Sequence, residues 1–179
     1  QKVDGDFDFE STIESLDETF MYAKAGIMVR GGLEPDAPHV LIHVFPSAQI
    51  DVGWREAKGA NMQERKFPIR EFPVHLQLSK RGKTVSAAWS IDRVHWVSGG
   101  TYEFDWLAGE CYAGLAVCSH DDRYLARGAF RNIKLSKVAP SEPEPAAEPA
   151  PEAAPAETGE QLQDAAAPAA DDTPAQETQ

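Results

Sequence analysis

Apolar and polar residues alternate with a period of two along much of the first 138 residues. Phe7, Phe9, Ser11 and Ile13 interleave with Asp6, Asp8, Glu10 and Thr12, which reads as a strand with one inward face and one acidic face. Val74, Leu76 and Leu78 alternate in the same way with His75, Gln77 and Ser79. Arg81-Gly82-Lys83 then turns the chain into Val85, Ala87 and Trp89, a hairpin signal. Between these lie three short apolar runs, Ala25–Val29, Val40–Phe45 and Ile50–Trp54. Gly-Gly-Leu-Glu-Pro-Asp-Ala-Pro and Pro-Ser-Ala separate them, giving strand, turn, strand, turn, strand. Further on, Ser90–Arg93 reads as a turn, Val94–Val97 as a short strand and residues 98–110 as a turn-rich stretch. Tyr112–Cys118 is a nearly continuous apolar run, expected of a strand covered on both faces, and Leu125–Leu135 closes the domain. No segment carries a 3.6-residue stripe, and tight turns recur every 8–12 residues. The fold class is therefore all-β, an antiparallel two-sheet sandwich or jelly roll.

Parity within the three apolar runs separates a second set of residues. Arg30 has the opposite parity to Ile27 and Val29, His43 to Ile42 and Val44, and Asp51 and Arg55 to Val52 and Trp54. If the three strands are neighbours, Arg30, His43, Asp51 and Arg55 project from one sheet face, with His75 and Gln77 as candidates to join them. Charged side chains able to bond in pairs on such a face suit sugar hydroxyls or a carboxylated glycan. A salt-bridged, solvated face is the plainer alternative.

Other residues offer weaker chemistry. Asp6, Asp8 and Glu10 share a strand face as paired glycosidase carboxylates do, but nothing apolar adjoins them to raise a pKa, and a solvated face is the simpler reading. Parity places Trp54 and Trp89 in the core, whereas Trp96 and Trp106 are better candidates for partial exposure and sugar stacking. His120-Asp121-Asp122 lacks the ligand count that calcium or zinc wants, so no metal or cofactor is expected. No phosphate-binding glycine loop, G-x-S-x-G elbow or H-E-x-x-H is present. Cys111 and Cys118 lie seven apart on one strand, on opposite faces and about 23 Å apart, and cannot bond to each other.

Composition divides the chain. From Ala139 onward all ten charged residues are acidic, leaving 19 acidic against 17 basic residues in residues 1–138, a net of −2 out of −12 overall. A body so near neutrality argues against a nucleic-acid groove. Residues 139–179 hold eight of the 13 prolines, many alanines and a single large aliphatic residue, Leu162. They are expected to form a disordered acidic Pro/Ala spacer or linker, with a docking tail or a tether to a further domain as the alternative. No apolar run is long enough to span a bilayer. The sequence opens at Gln1 without an initiator Met, which reads as a removed leader or as part of a longer multidomain chain.

Several strings together resemble a known family. Gly5-Asp6-Phe7, Ala23-Lys24-Ala25-Gly26-Ile27-Met28-Val29-Arg30, Pro38-His39 and Gly53-Trp54-Arg55 come first. Leu78-x-x-x-Gly82, Ser90-x-Asp92-x-x-x-Trp96 and Gly114–His120 follow in order. Over residues 1–135 this pattern is similar to the DUF1349-type family of concanavalin A-like domains. Arg93 stands where that family usually has a turn Gly, which implies a looser or longer hairpin. The family also has strands ahead of its Gly-Asp-Phe segment, which implies an exposed edge near residues 6–16.

The resemblance implies a secreted, cell-surface or periplasmic accessory module found beside carbohydrate-active domains, with no agreed catalytic residues. The expected function is non-catalytic binding of a glycan or surface polymer through one sheet face. The alternative is an assembly subunit docking a protein partner through its sheet edge or face. A glycosidase is a third reading, kept for the acidic strand.

Overall fold

A computed structural model describes residues 1–139; the tail expectation for residues beyond these lies outside the described part. Eleven strands are present: β1 (Lys2–Val3), β2 (Asp6–Leu16), β3 (Lys24–Arg30), β4 (His39–Val44), β5 (Gln49–Arg55) and β6 (Gln63–Ile69), then β7 (Val74–Arg81), β8 (Thr84–Ser90), β9 (Val97–Glu103), β10 (Cys111–Cys118) and β11 (Gly128–Val138). A 3-10 turn, Asp105–Ala108, joins β9 to β10. The strands form two antiparallel sheets, six-stranded in the order β1-β10-β3-β4-β5-β6 and five-stranded in the order β11-β2-β7-β8-β9. Residues 1–139 form a two-sheet β-sandwich.

Alternation explains the core. Ile27 and Val29, Val40, Ile42 and Val44, and Ile50 and Val52 point inward from the six-stranded sheet. They meet Phe7, Phe9, Ile13, Leu76, Leu78, Val85 and Trp89 from the other sheet. Each fully buried aliphatic or aromatic side chain contributes about 1.5–3 kcal/mol of transfer free energy, and this layer holds the sheets face to face. The β7–β8 hairpin turns at Gly82, whose φ of 53° is the left-handed conformation glycine adopts without a Cβ penalty. Arg93 takes the same region, with φ of 64°, where the family resemblance has glycine. Three bonds replace the glycine's freedom there: Ser90 Oγ accepts from Arg93 N, and Asp92 Oδ1 from Val94 N and His95 N.

Several expectations need correction. Residues 94–96 belong to the turn, and the strand is β9, beginning at Val97 and running to Glu103 through the first part of the stretch read as turn-rich. Its Gly99 lies within 3.1 Å of Ala87 where a Cβ would be, a close approach that masks the strand signal. Strand β6 carries no apolar alternation because it is an exposed edge whose backbone pairing with β5 supports it. The closing strand is Gly128–Val138, and Leu125 is exposed in the loop before it.

Strand β10 is not covered on both faces. Cys111 and Ala113 are buried, but Leu115 and Val117 are half-exposed, because β1 is two residues long and the β11 edge opposite is bulged at Asn132. Residues 6–16 are not an edge, since β2 sits between β11 and β7, whereas Gly114–Cys118 runs past the short β1 and leaves a stretch of edge open.

Candidate ligand-binding face

Strands β3, β4 and β5 are consecutive neighbours, so Arg30, His43, Asp51 and Arg55 share the outer face of the six-stranded sheet. Register sorts them into two rows. Arg30, His39 and Arg55 pair directly across the strands, and so do Gly26, His43, Asp51 and Lys66. Four residues of strand, about 13 Å, separate the rows. His75 and Gln77 do not join them, because β7 lies in the other sheet. There Nδ1 of His75 is 2.8 Å from Thr12 Oγ1, and Gln77 donates to Glu10. Parity assigns a face within a sheet but not the sheet itself.

The arginine row holds a loop. Arg30 donates to the Glu34 carbonyl, and Arg55 donates to the carbonyls of Pro35 and Ala37. His39 lies between them with Nδ1 3.1 Å from the Ala37 carbonyl oxygen. Burial, helped by the two guanidinium charges and opposed by that contact, pushes the His39 pKa below its usual value. These guanidiniums therefore spend part of their donor capacity on fixing residues 34–37.

The second row has unused capacity. His43 is 3% and Asp51 0% exposed, yet neither ring nitrogen and neither carboxylate oxygen has a hydrogen-bond partner. Gly26 makes room for this row. A Cβ there would overlap the Ile42 carbonyl oxygen and reach 2.7 Å from the His43 Cα. Burial lowers the His43 pKa to about 3, assisted by the Lys24 charge and offset slightly by the nearby Leu41 carbonyl. Burial raises the Asp51 pKa to about 6, reinforced by Glu64 and opposed by Lys66 and Lys24. The nearby cations are engaged elsewhere: Lys66 with Glu64 at 2.9 Å and Lys24 with the Tyr22 carbonyl at 3.0 Å.

Beside this row, where the strands end, a groove is lined by Glu18, Tyr22, Phe45, Ser47, Gln49 and Lys66, among others. Phe45 and Gln49 are the next same-face neighbours of His43 and Asp51 along their strands. The His43 ring meets Phe45 edge-on at 5.0 Å. Tyr22 packs edge-on against both Phe45 and His120, and Phe20 stacks on His120 at 5.3 Å. Phe20, Met21 and Tyr22 remain 40%, 65% and 49% exposed. Sequence reasoning passed over these residues because it sought platforms among tryptophans. The signal was three large apolar residues in a row in the gap between two strands, where no core needs them.

The other candidates are occupied by local structure. Asp8 accepts two bonds from Arg81, Asp6 accepts from Gly82 N, and Glu10 accepts from Gln77. Asp121 is clamped by Arg123, and His120 has φ of 56° in a tight turn. Among the described residues no three His, Cys, Asp or Glu side chains cluster as metal ligands would. Trp89 is buried, Trp54 packs on Tyr102 and the core, Trp106 stacks on Phe104, and Trp96 is 37% exposed. Cys111 is buried and Cys118 exposed, and both are free.

No protein-family model matches the sequence. No curated protein matches it either. Solved structures do share the fold. One is a functionally unknown protein from Saccharomyces cerevisiae, with a TM-score of 0.57 at 14% identity, over 78% of this chain and 73% of that one. A mutant of the GH43 protein BlXynB from Bacillus licheniformis gives 0.59 at 11% identity over 74% of this chain. A xylan beta-1,4-xylosidase from Bacillus halodurans gives 0.57 at 16% identity, again over 74% of this chain. The chain spans only 28% of the length of each of the latter two. At these identities the likeness shows the β-sandwich fold alone.

Proposed function

We propose that residues 1–138 are a DUF1349-type, concanavalin A-like accessory module that works outside the cytoplasm and binds a glycan without cleaving it. The binding place is the outer face of the six-stranded sheet, at the end where Tyr22 and Phe45 line a groove and Phe45 meets the His43 ring. One observation carries the reading: two buried polar side chains without partners are next along their strands to Phe45 and Gln49, which line a groove together with exposed Tyr22. Native interiors rarely leave such groups unsatisfied, and exposed rings beside them suit the apolar face of a sugar. Arg30 and Arg55 remain on the same face and serve chiefly to hold residues 34–37. One fold neighbour is a xylan beta-1,4-xylosidase, which makes xylan a sensible first probe.

A polysaccharide pull-down and glycan array with the full chain test this. The native protein is expected to retain a glycan, and Tyr22→Ala to weaken it at least tenfold while melting at the native temperature. A folded native chain that retains no glycan overturns the reading.

The assembly alternative has its own observation. Gly114–Cys118 is an uncharged strand edge without a partner among the described residues, and Leu115 and Val117 on it are 42% and 44% exposed. Natural sheets usually guard such an edge with charge or proline. If the edge docks a protein, Leu115→Lys removes a complex seen by light scattering or cross-linking and leaves glycan retention unchanged.

A further inference from the structure

Strand β10 runs on past β1 after Ala113. Gln1 and Ala113 exchange two backbone bonds, at 2.7 and 2.9 Å, and that pair ends the β1 ladder. Backbone groups alternate sides along a strand. The N–H and C=O groups of Leu115 and Val117 therefore point the same way as those of Ala113, while those of Gly114, Ala116 and Cys118 face β3. Four backbone groups stand on the open side without a partner among the described residues. The other sheet edges carry guards: Lys66 and Pro68 on β6, register shifts with Arg131 and Lys134 on β11, and a register shift with Glu103 on β9. The stretch Gly114–Cys118 has no charge, proline or register shift. Its inward side chains, Leu115 and Val117, are half-exposed, and Leu115 lines a cleft with Ile133 and Leu135 of β11.

We infer that Gly114–Cys118 pairs with the same stretch of a second copy of this chain, antiparallel about a two-fold axis at Ala116. This rests on the edge being a docking surface, the second reading above. The register is self-complementary: Leu115 exchanges both backbone bonds with the partner's Val117, and the axis generates the reverse pair, so all four open groups of each copy are used. The pairing continues the β1–β10 ladder and stops where Gln1 already covers Ala113. No charged residue lies in the paired stretch, so two copies bring no like charges into register. Inward, Leu115 meets the partner's Val117; outward, Gly114 leaves room for the partner's Cys118. The stretch is small beside the roughly 800 Å² that each partner gives to a standard interface, so the dimer depends on protein concentration.

Two readouts on the full chain test it. At the axis Ala116 faces its own copy in a non-hydrogen-bonded pair, about 4.5 Å between Cα atoms, which a disulfide can bridge. The two Cys118 residues lie four residues of strand apart, about 13 Å, and cannot bond. Ala116→Cys in a Cys118→Ser background is therefore expected to form a covalent dimer in a glutathione redox buffer, while the native chain runs as a monomer on a non-reducing gel. Adding Val117→Pro, which removes an open N–H and leaves the β3 ladder intact, is expected to cut that dimer at least tenfold. Hydrogen exchange at the Leu115 and Val117 amides of the native chain is then read from about 10 µM to about 1 mM. Protection that rises with concentration, beside the Ala116→Cys dimer, supports the proposal. Fast exchange at every concentration without that dimer overturns the second copy as occupant and leaves the edge open to a different protein. Protection at every concentration in a chain that sediments as a monomer means that the chain covers its own edge, which overturns both readings.

Discussion

The two outer faces of the sandwich are finished differently. On the five-stranded sheet the outward polar groups satisfy one another: Asp8 with Arg81, Glu10 with Gln77, Thr12 with His75 and Asn132, Ser86 with Thr101. On the six-stranded sheet, Arg30, His43, Asp51 and Arg55 leave six buried side-chain atoms unpartnered, of nine among the described residues. A face whose hydrogen bonds close on themselves needs nothing further from outside. A face that buries polar atoms without partners carries a desolvation cost that its own hydrogen bonds do not offset, and the proposed recognition rests on this asymmetry.

The largest expected effect tests the position that makes the second face possible. Gly26→Ala places a Cβ against the Ile42 carbonyl and the His43 Cα, with backbone rather than flexible side chain in the way. A loss of about 3 kcal/mol is expected in denaturant titration, since overpacking of this kind forces β3 and β4 apart. An unchanged midpoint would mean that the strands spread without cost.

A smaller pair of substitutions makes the contrast direct, because the same chemical change should have opposite signs on the two faces. Asp51→Asn removes an unpartnered buried charge and is expected to stabilise by about 1–3 kcal/mol at pH 7. Asp8→Asn weakens a partly exposed pair with Arg81 and is expected to destabilise by at most about 1 kcal/mol. Equal signs would dissolve the comparison.

Their pH dependence sharpens it further. The folded pKa of Asp51, about 6, lies above its ordinary 3.8, so the folded state binds the extra proton and native stability falls as pH rises between those values. The gain from Asp51→Asn should therefore be near zero at pH 4 and fully present above about pH 6. His43 runs the other way: its folded pKa of about 3 is below 6.5, so its contribution rises with pH across that interval. In native protein the two slopes oppose each other. In Asp51→Asn the opposing slope is gone and His43 contributes up to about 1.4 kcal/mol per pH unit, with His39 and His75 adding in the same direction. Comparing melts of the two proteins across pH 4–7 reads the difference due to Asp51.

Much of the fold was legible because a period of two needs no tertiary information. Strands β2, β3, β4, β5, β7 and β8 follow from alternation and turn residues, and so does their sorting into inward and outward faces. The strands that escaped had other supports. The backbone ladder with β5 holds β6, and close packing at Gly99 disguises β9. The site was legible in part. Arg30, His43, Asp51 and Arg55 do share a face, because parity and adjacency suffice for that. Register then divides them, and one half spends its donors on loop carbonyls.

Sequence alone determined the two-sheet class, the inward residues and the near-neutral body, since these depend on local periodicity and on counting charges. Tertiary structure alone decided that β2 is interior while Gly114–Cys118 is left as open edge, and that His75 belongs to the opposite sheet. It also decided that Tyr22 lines a groove with Phe45 and Gln49, the strand neighbours of buried His43 and Asp51. Those facts depend on which distant segments become neighbours, and no alternation pattern encodes the hydrogen bonds that a folded face leaves unmade.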